Sequence, residues 1–298
     1  MQAIEYSIKQ EAKNLGFDLV GITSADPVDS AQIEHFKKWL AAGCHGTMSW
    51  LQNNIDKRFN PALLLDDAKS VICTALNYKP SKISAKIASY ALYQDYHDFI
   101  KNRLFELAGF IKSRSSEDLK FKVCVDSAPL AERALAERAG LGFIGKNHIL
   151  TNPQLGSFLL LGEIVTNLPL ETDMPLGKED FCKGCSRCTD ACPVGVFNTF
   201  FDARKCISYL TIEYKDEIQK ELAAKINPHL FGCDECILAC PHNEKAPVCT
   251  NKEFKFSTDR LNISAKDVLN LSQEDFDVLF ADSAISRAGL EQLKRNVG

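Results

Sequence analysis

At 298 residues the chain has room for two domains and a smaller third, with ample length to bury a core. Apolar residues make up 45% and charged residues 25%, which excludes a disordered, collagenous or fibrous chain, and a formal charge of −4 excludes a polycation that binds nucleic acid by bulk charge. The richest apolar run, Phe158 to Val165, is broken by Gly162 and Glu163, and Glu5 and Lys9 stand where a signal peptide needs its apolar centre, so the expectation is a cytoplasmic protein, neither membrane-spanning nor exported.

Ile4, Ile8, Ala12 and Leu15 recur at helical spacing and stop at Gly16, after which Phe17–Thr23 reads as a strand. A helix follows over 31–42. Val71–Leu76 is a second strand, residues 94–114 a long helix, Phe121–Val125 a third strand, and Pro129–Ala139 a helix with proline in its first turn. A strand near Ser157–Val165 completes an α+β sheet domain over residues 1–168. Residues 169–250 change in texture to proline, glycine and cysteine. The segment 251–298 reads as short helices, Ser264 and Ser272 each standing three residues before an acid (Asp267, Asp275) in a capping pattern.

Twelve cysteines in a chain without an export signal point to metal or redox chemistry rather than disulfides. Cys182-x2-Cys185-x2-Cys188-x3-Cys192-Pro193 is the full bacterial ferredoxin run, and Cys233-x2-Cys236-x3-Cys240-Pro241 repeats the geometry with one cysteine fewer. Two [4Fe–4S] clusters require eight thiolates, and Cys206, alone between the runs, is the best candidate for the eighth. A tetrahedral zinc site would leave three of the seven motif thiolates idle and would not explain the Cys-Pro ending of both runs. Cys44, Cys73 and Cys124 read as packed small hydrophobes, and Cys249 is undecided.

Gly140-Leu-Gly-Phe-Ile-Gly145-Lys146-Asn147 comes close to two nucleotide-binding patterns but lacks their context, since a helix precedes the glycines and an extended segment follows. A phosphate loop also needs a hydroxyl where Asn147 stands. A glycine-rich turn approaching some other ligand is the better reading.

Four stretches together carry a resemblance: Val125-Asp126-Ser127-Ala128-Pro129-Leu130-Ala131-Glu132-Arg133, the Gly140–Asn147 turn, Asp202-Ala-Arg-Lys-Cys206-Ile-Ser208-Tyr-Leu-Thr211-Ile-Glu213, and Gly232-Cys233-Asp234-Glu-Cys236. With them the chain closely resembles the epoxyqueuosine reductase family. The resemblance implies a sheet domain similar to nitroreductase-like and reductive-dehalogenase-like cobalamin domains, fused to a two-cluster ferredoxin-like domain. It implies passage of electrons through two [4Fe–4S] clusters to base-off cobalamin, and removal of the epoxide oxygen from epoxyqueuosine at the wobble position of tRNA. It also implies crossed ligation, with Cys182, Cys185, Cys188 and Cys240 on one cluster and Cys192, Cys206, Cys233 and Cys236 on the other. Many members carry a C-terminal helical-repeat domain that grips tRNA, whereas this chain stops at Gly298, so a short form with a smaller tRNA contact is expected. No D-x-H-x-x-G stretch supplies a lower-ligand histidine, consistent with the base-off cofactor.

Asp126 closes a strand before a helix, and its residue-level reading is a helix cap. The resemblance makes it the proton donor instead, which requires a pKa about 3 units above the ordinary ~3.9, by desolvation beneath cobalamin. Arg58, Tyr96, His97, Lys146, Asn147, Ser157, Ser208 and Asp234 become candidate cobalamin contacts on the same ground. Residues 101–150 carry nine basic against six acidic side chains, a modest excess for an RNA surface, with Lys122 and Arg133 among them. The expected electron donor is a ferredoxin, a flavodoxin or a chemical reductant, and the expected state a monomer. The alternatives are a related reductase of a small molecule and a non-enzymatic cobalamin carrier or electron-transfer protein.

Overall fold

A computed structural model describes residues 3–115, 118–177 and 180–297. The elements run in the order α1 (Ile4–Asn14), β1 (Leu19–Ser24), α2 (Ser30–Ala41), α3 (Ile55–Phe59), β2 (Ser70–Asn77), α4 (Tyr96–Lys112), β3 (Phe121–Cys124), α5 (Glu132–Arg138), β4 (Phe143–Ile144), β5 (Leu150–Thr151) and β6 (Leu159–Thr166). The cysteine-rich part holds α6 (Arg187–Asp190), α7 (Ile207–Ile212), α8 (Lys220–Ile226) and α9 (Glu235–Leu238), and the last segment α10 (Thr258–Asn262), α11 (Ala265–Asn270), α12 (Gln273–Phe280) and α13 (Leu290–Val297).

Four strands form one sheet in the order β1-β2-β6-β3, every neighbouring pair antiparallel. Every residue of β2 is buried, because α1 and α4 cover one face of the sheet and α5 the other. Strand alternation sorts the side chains accordingly: Ile72, Leu76 and Ile164 join Ile8, Leu104 and Leu107, while Val71, Cys73, Ala75 and Val165 join Leu135, Ala136 and Ala139. Each fully buried aliphatic side chain contributes on the order of 1.5–3 kcal/mol. Gly21 lets α5 approach the sheet, since a Cβ there would stand 2.1 Å from the Ala139 carbonyl oxygen.

Several boundaries differ from the sequence reading for local reasons. The first strand starts at Leu19 rather than Phe17, because the Phe17 N–H closes the end of α1 on the Ala12 carbonyl at 3.0 Å and its ring enters the core. The long helix starts at Tyr96, capped by Asp95, whose carboxylate accepts from the His97 N–H at 3.0 Å. The helix expected from Pro129 starts at Glu132, since Leu130 N–H turns back to Ala128 and Ala131 N–H goes to the Arg58 carbonyl. Both C-terminal capping boxes, Ser264 with Asp267 and Ser272 with Asp275, are present.

The cysteine-rich and terminal segments pack back onto the sheet domain. Phe254 stacks on Tyr93 at 4.6 Å and lies 4.8 Å from Phe99, inside the same core as Ile8 and Ile72. The terminal helices bury Val268, Phe280 and Leu293 against Ile87, Leu92, Leu230 and Phe231. Among the described residues no helix is long and apolar enough to cross a membrane.

Candidate active site

Asp126 sits just beyond β3 with φ of 55°, a left-handed backbone that a non-glycine residue adopts only when its surroundings hold it there. It caps no helix: α5 begins six residues later, behind Ala131, and has no side-chain cap. Two neighbours hold Asp126. Its N–H donates to Glu132 Oε1 at 2.6 Å, and its carboxylate lies 3.0 Å from His97 Nε2.

His97 continues the chain of contacts, its Nδ1 standing 2.6 Å from Asp95. Burial alone would lower the imidazole, but the hydrogen bonds it donates to Asp126 and Asp95 outweigh it and push His97 up to about 9. The ring is therefore an imidazolium at neutral pH, donating from both nitrogens. Arg287, from the C-terminal segment, reaches Asp95 at 3.3 Å and places a guanidinium nitrogen 3.1 Å from the same Nε2. With Nε2–H already committed to Asp126, that second contact is between like charges, and the Asp95 carboxylate holds Arg287 in place.

The hydrogen bond from His97 holds the Asp126 carboxyl below the usual carboxylate range, with the side chain 58% exposed. In the protein alone no apolar surface covers Asp126 and the nearest partner of its carboxylate is a cation, whereas the rise expected for it belongs to the state covered by cobalamin. The raised carboxyls lie beneath Asp126. Burial first and the nearby Asp126 second push Glu132 up to about 7, and burial followed by Glu132 drives the fully buried Glu163 well above its ordinary value.

The other candidates fall around this centre in different ways. Tyr96 stacks on His97 at 4.0 Å. Arg58 lies over Phe36, and its buried Nε has no hydrogen-bond partner among the described residues. Lys146 is exposed and donates to the Cys185 carbonyl at 2.8 Å, while buried Asn147 donates to the Cys236 carbonyl at 3.4 Å, so the glycine-rich turn bears on both cysteine groups. Ser208 lies in α7 beside Cys206. Asp234 is buried, raised by that burial, and accepts from the Ser89 N–H at 2.6 Å. Ser157 is also buried, with both polar groups taken by Asn243.

The thiols gather into two sets. Burial raises Cys188 and Cys240, and each also feels Cys182 and Cys185. Burial likewise raises Cys206, Cys233 (to about 12) and Cys236; Cys206 feels Cys192, Cys233 feels Cys206, and Cys236 feels Cys206, Cys233 and Cys192. Among the described residues no three side chains converge as tightly as a single metal ion needs. Cys249 stands apart, beside Tyr93 and Asp18. A concavity of about 210 Å³ adjoins Cys233, Asp234 and Ile87, and one of about 320 Å³ lies between Tyr93 and Lys255; neither is lined by Asp126.

Sequence reasoning missed Glu132, Glu163, Arg287 and Asn243 as parts of this site. Glu163 had a visible signal, the lone charge in an otherwise apolar strand.

Comparison with known proteins fits these features. Residues 58–127 match the family "Epoxyqueuosine reductase QueG, DUF1730", and residues 181–243 match "4Fe-4S double cluster binding domain". The chain is 39% identical to epoxyqueuosine reductase of Leadbetterella byssophila, over all of this chain and 98% of the relative. It belongs to the epoxyqueuosine reductase family. The Escherichia coli enzyme is 36% identical over all of this chain and 80% of its own, so members of the family differ in length. A crystal structure of epoxyqueuosine reductase with an epoxyqueuosine-modified tRNA-Tyr stem loop superposes with a TM-score of 0.87 at 33% identity, covering 99% of this chain and 80% of that one. A B12-dependent reductive dehalogenase shares the fold at a TM-score of 0.51 and 16% identity, covering 97% of this chain and 37% of that one. The architecture is thus an α+β domain of this family fused to a double [4Fe–4S] cluster domain.

Proposed function

We propose that this chain reduces epoxyqueuosine to queuosine in tRNA, as a cytoplasmic monomer that uses two [4Fe–4S] clusters and base-off cobalamin. The observation that carries the reading is the match to the Leadbetterella byssophila enzyme along essentially the whole of both chains. Removal of an epoxide oxygen as water consumes two electrons and two protons, so the site needs an electron path and an acid.

Cys182, Cys185, Cys188 and Cys240 would hold one cluster and Cys192, Cys206, Cys233 and Cys236 the other. The two thiol sets supply four sulfurs each, which suits two cubanes, and Lys146 and Asn147 brace a carbonyl in each set. Cobalamin, when bound, supplies a strongly reducing cobalt centre. The residues present suit such an amide-rimmed macrocycle: among the described residues the buried Arg58 Nε has no hydrogen-bond partner, and the aromatic rings of Tyr90 and Tyr96 stand near Asp126. Arg58, Tyr96, His97, Lys146, Asn147, Ser208 and Asp234 are the proposed contacts; Ser157, fully engaged with Asn243, supports the site from behind.

Asp126 would give the proton. Covering its exposed carboxyl excludes water and weakens the carboxylate form, which raises it from the low value that His97 imposes. The division into 1–168, 169–250 and 251–298 separates these tasks, with a ferredoxin or flavodoxin as the electron source. The test is anaerobic incubation of the reconstituted protein, cobalamin and a chemical reductant with tRNA from a strain lacking this activity, followed by nucleoside analysis. Conversion to queuosine is expected; unchanged epoxyqueuosine at full cluster and cobalamin loading overturns the reading.

A further inference from the structure

Glu163 is fully buried on β6, in register with Cys73 on β2 and Cys124 on β3, and neither of its carboxyl oxygens receives a hydrogen bond from the described residues. It stands within hydrogen-bonding reach of Glu132, whose Oε1 takes the Asp126 N–H. Two ionised carboxylates bring only acceptors to such a contact and repel each other; a proton between them turns it into a hydrogen bond. The rest of the surroundings supply no direct donor. Arg58 from α3 and Arg133 from α5 act on Glu132 only through space, Asp126 adds a negative charge, and the Cys73 and Cys124 thiols beside Glu163 are themselves raised by burial.

We propose that Glu132 and Glu163 share a proton and, in that form, act as a positioning pair that holds the Asp126 backbone in its left-handed conformation. Glu163, rigid in the sheet, anchors Glu132, and Glu132 fixes the Asp126 N–H. The catalytic carboxyl is thereby aimed without being bonded by the pair itself. The role of Asp126 rests on the proposed function, whereas the shared proton does not.

Two measurements on the cofactor-free full chain test the proton. Infrared difference spectra near neutral pH should show a protonated carboxylic-acid carbonyl band that shifts in heavy water and is lost in both Glu163→Gln and Glu132→Gln. A carboxyl that keeps its proton in the folded chain after the unfolded chain has lost it stabilises fully below the usual carboxylate pKa and less as pH rises. The melting temperature should therefore fall between about pH 5 and about pH 8, and Glu163→Gln should reduce that fall by at least about 2 °C. On turnover, Glu132→Leu should lower kcat about tenfold or more with KM little changed, and Glu132→Gln, which keeps an acceptor for the Asp126 N–H, should recover most of it. Absence of the acid band, or its persistence in both amide variants, overturns the shared proton. Equal kcat in Glu132→Leu and wild type overturns the positioning role. Full turnover in Asp126→Asn would instead strike the proposed acid, leaving the infrared result to stand by itself.

Discussion

Asn243 and Ser157 bind each other twice: the asparagine Oδ1 accepts from the Ser157 N–H at 2.7 Å, and its Nδ2 donates to the Ser157 Oγ at 2.8 Å. Asn243 follows the last motif cysteine and Ser157 precedes β6, so the pair bolts the cluster segment to the sheet in a buried setting. Nδ2 also donates to the Ile237 carbonyl at 2.6 Å.

Asn243→Ala should therefore destabilise the protein by about 2–4 kcal/mol, since it leaves the Ser157 amide and hydroxyl buried without partners. Urea unfolding of the apoprotein measures this. A loss below about 0.5 kcal/mol would mean that the two segments are held by other contacts.

Asp126→Asn should reduce turnover by about 10²–10⁴-fold while cluster and cobalamin content persist. The same change removes a carboxylate partner of His97, so the imidazole should titrate lower than its value of about 9 in the parent protein. A folded-state pKa raised in this way contributes stability that is full below the ordinary histidine value of about 6.5 and lost as pH rises through about 9. NMR of the ring nitrogens in the cofactor-free protein follows the titration. An unaltered His97 midpoint would show that Asp95 alone sets it.

Reconstitution under anaerobic conditions should give about eight irons per chain, as two cubanes require. Cys206→Ser should lower that content and Cys249→Ser should not, because Cys206 neighbours Cys192, Cys233 and Cys236 whereas Cys249 lies beside Tyr93 and Asp18. The reverse pattern would assign the eighth thiolate to Cys249.

Binding of tRNA should weaken steeply with salt, as counterions released by phosphate contacts are re-bound. Lys122 is exposed and makes a clean charge-reversal probe. Arg133 is a poorer one, because its guanidinium donates to the His148 carbonyl and its loss would also disturb the turn after Asn147. Affinity that stays constant between low and moderate salt would rule out electrostatic docking.

The cysteine runs and the strand ending at Asp126 were legible in the sequence because their spacing is local. The α+β character and the terminal capping boxes were legible for the same reason. Arg287 was not, since its meeting with Asp95 and His97 depends on packing of the terminal helices. The start of α5 was misread at Pro129 because the Arg58 carbonyl, far away in sequence, takes the Ala131 amide. The imidazolium beside Asp126 was not legible either, since His97 lies far from it in sequence and meets it only through packing.

Phe254 lies beyond every cysteine of the two motifs, yet it completes the core around Tyr93 and Phe99. The four strands of the sheet end at Thr166, so during synthesis the sheet is out before the cysteine runs, but the core at Tyr93 and Phe99 stays open until Phe254 follows all eight thiols of the proposed cluster sets. The nascent chain passes through a stage in which its sulfurs are outside the tunnel and its N-terminal half still lacks an aromatic that completes its core.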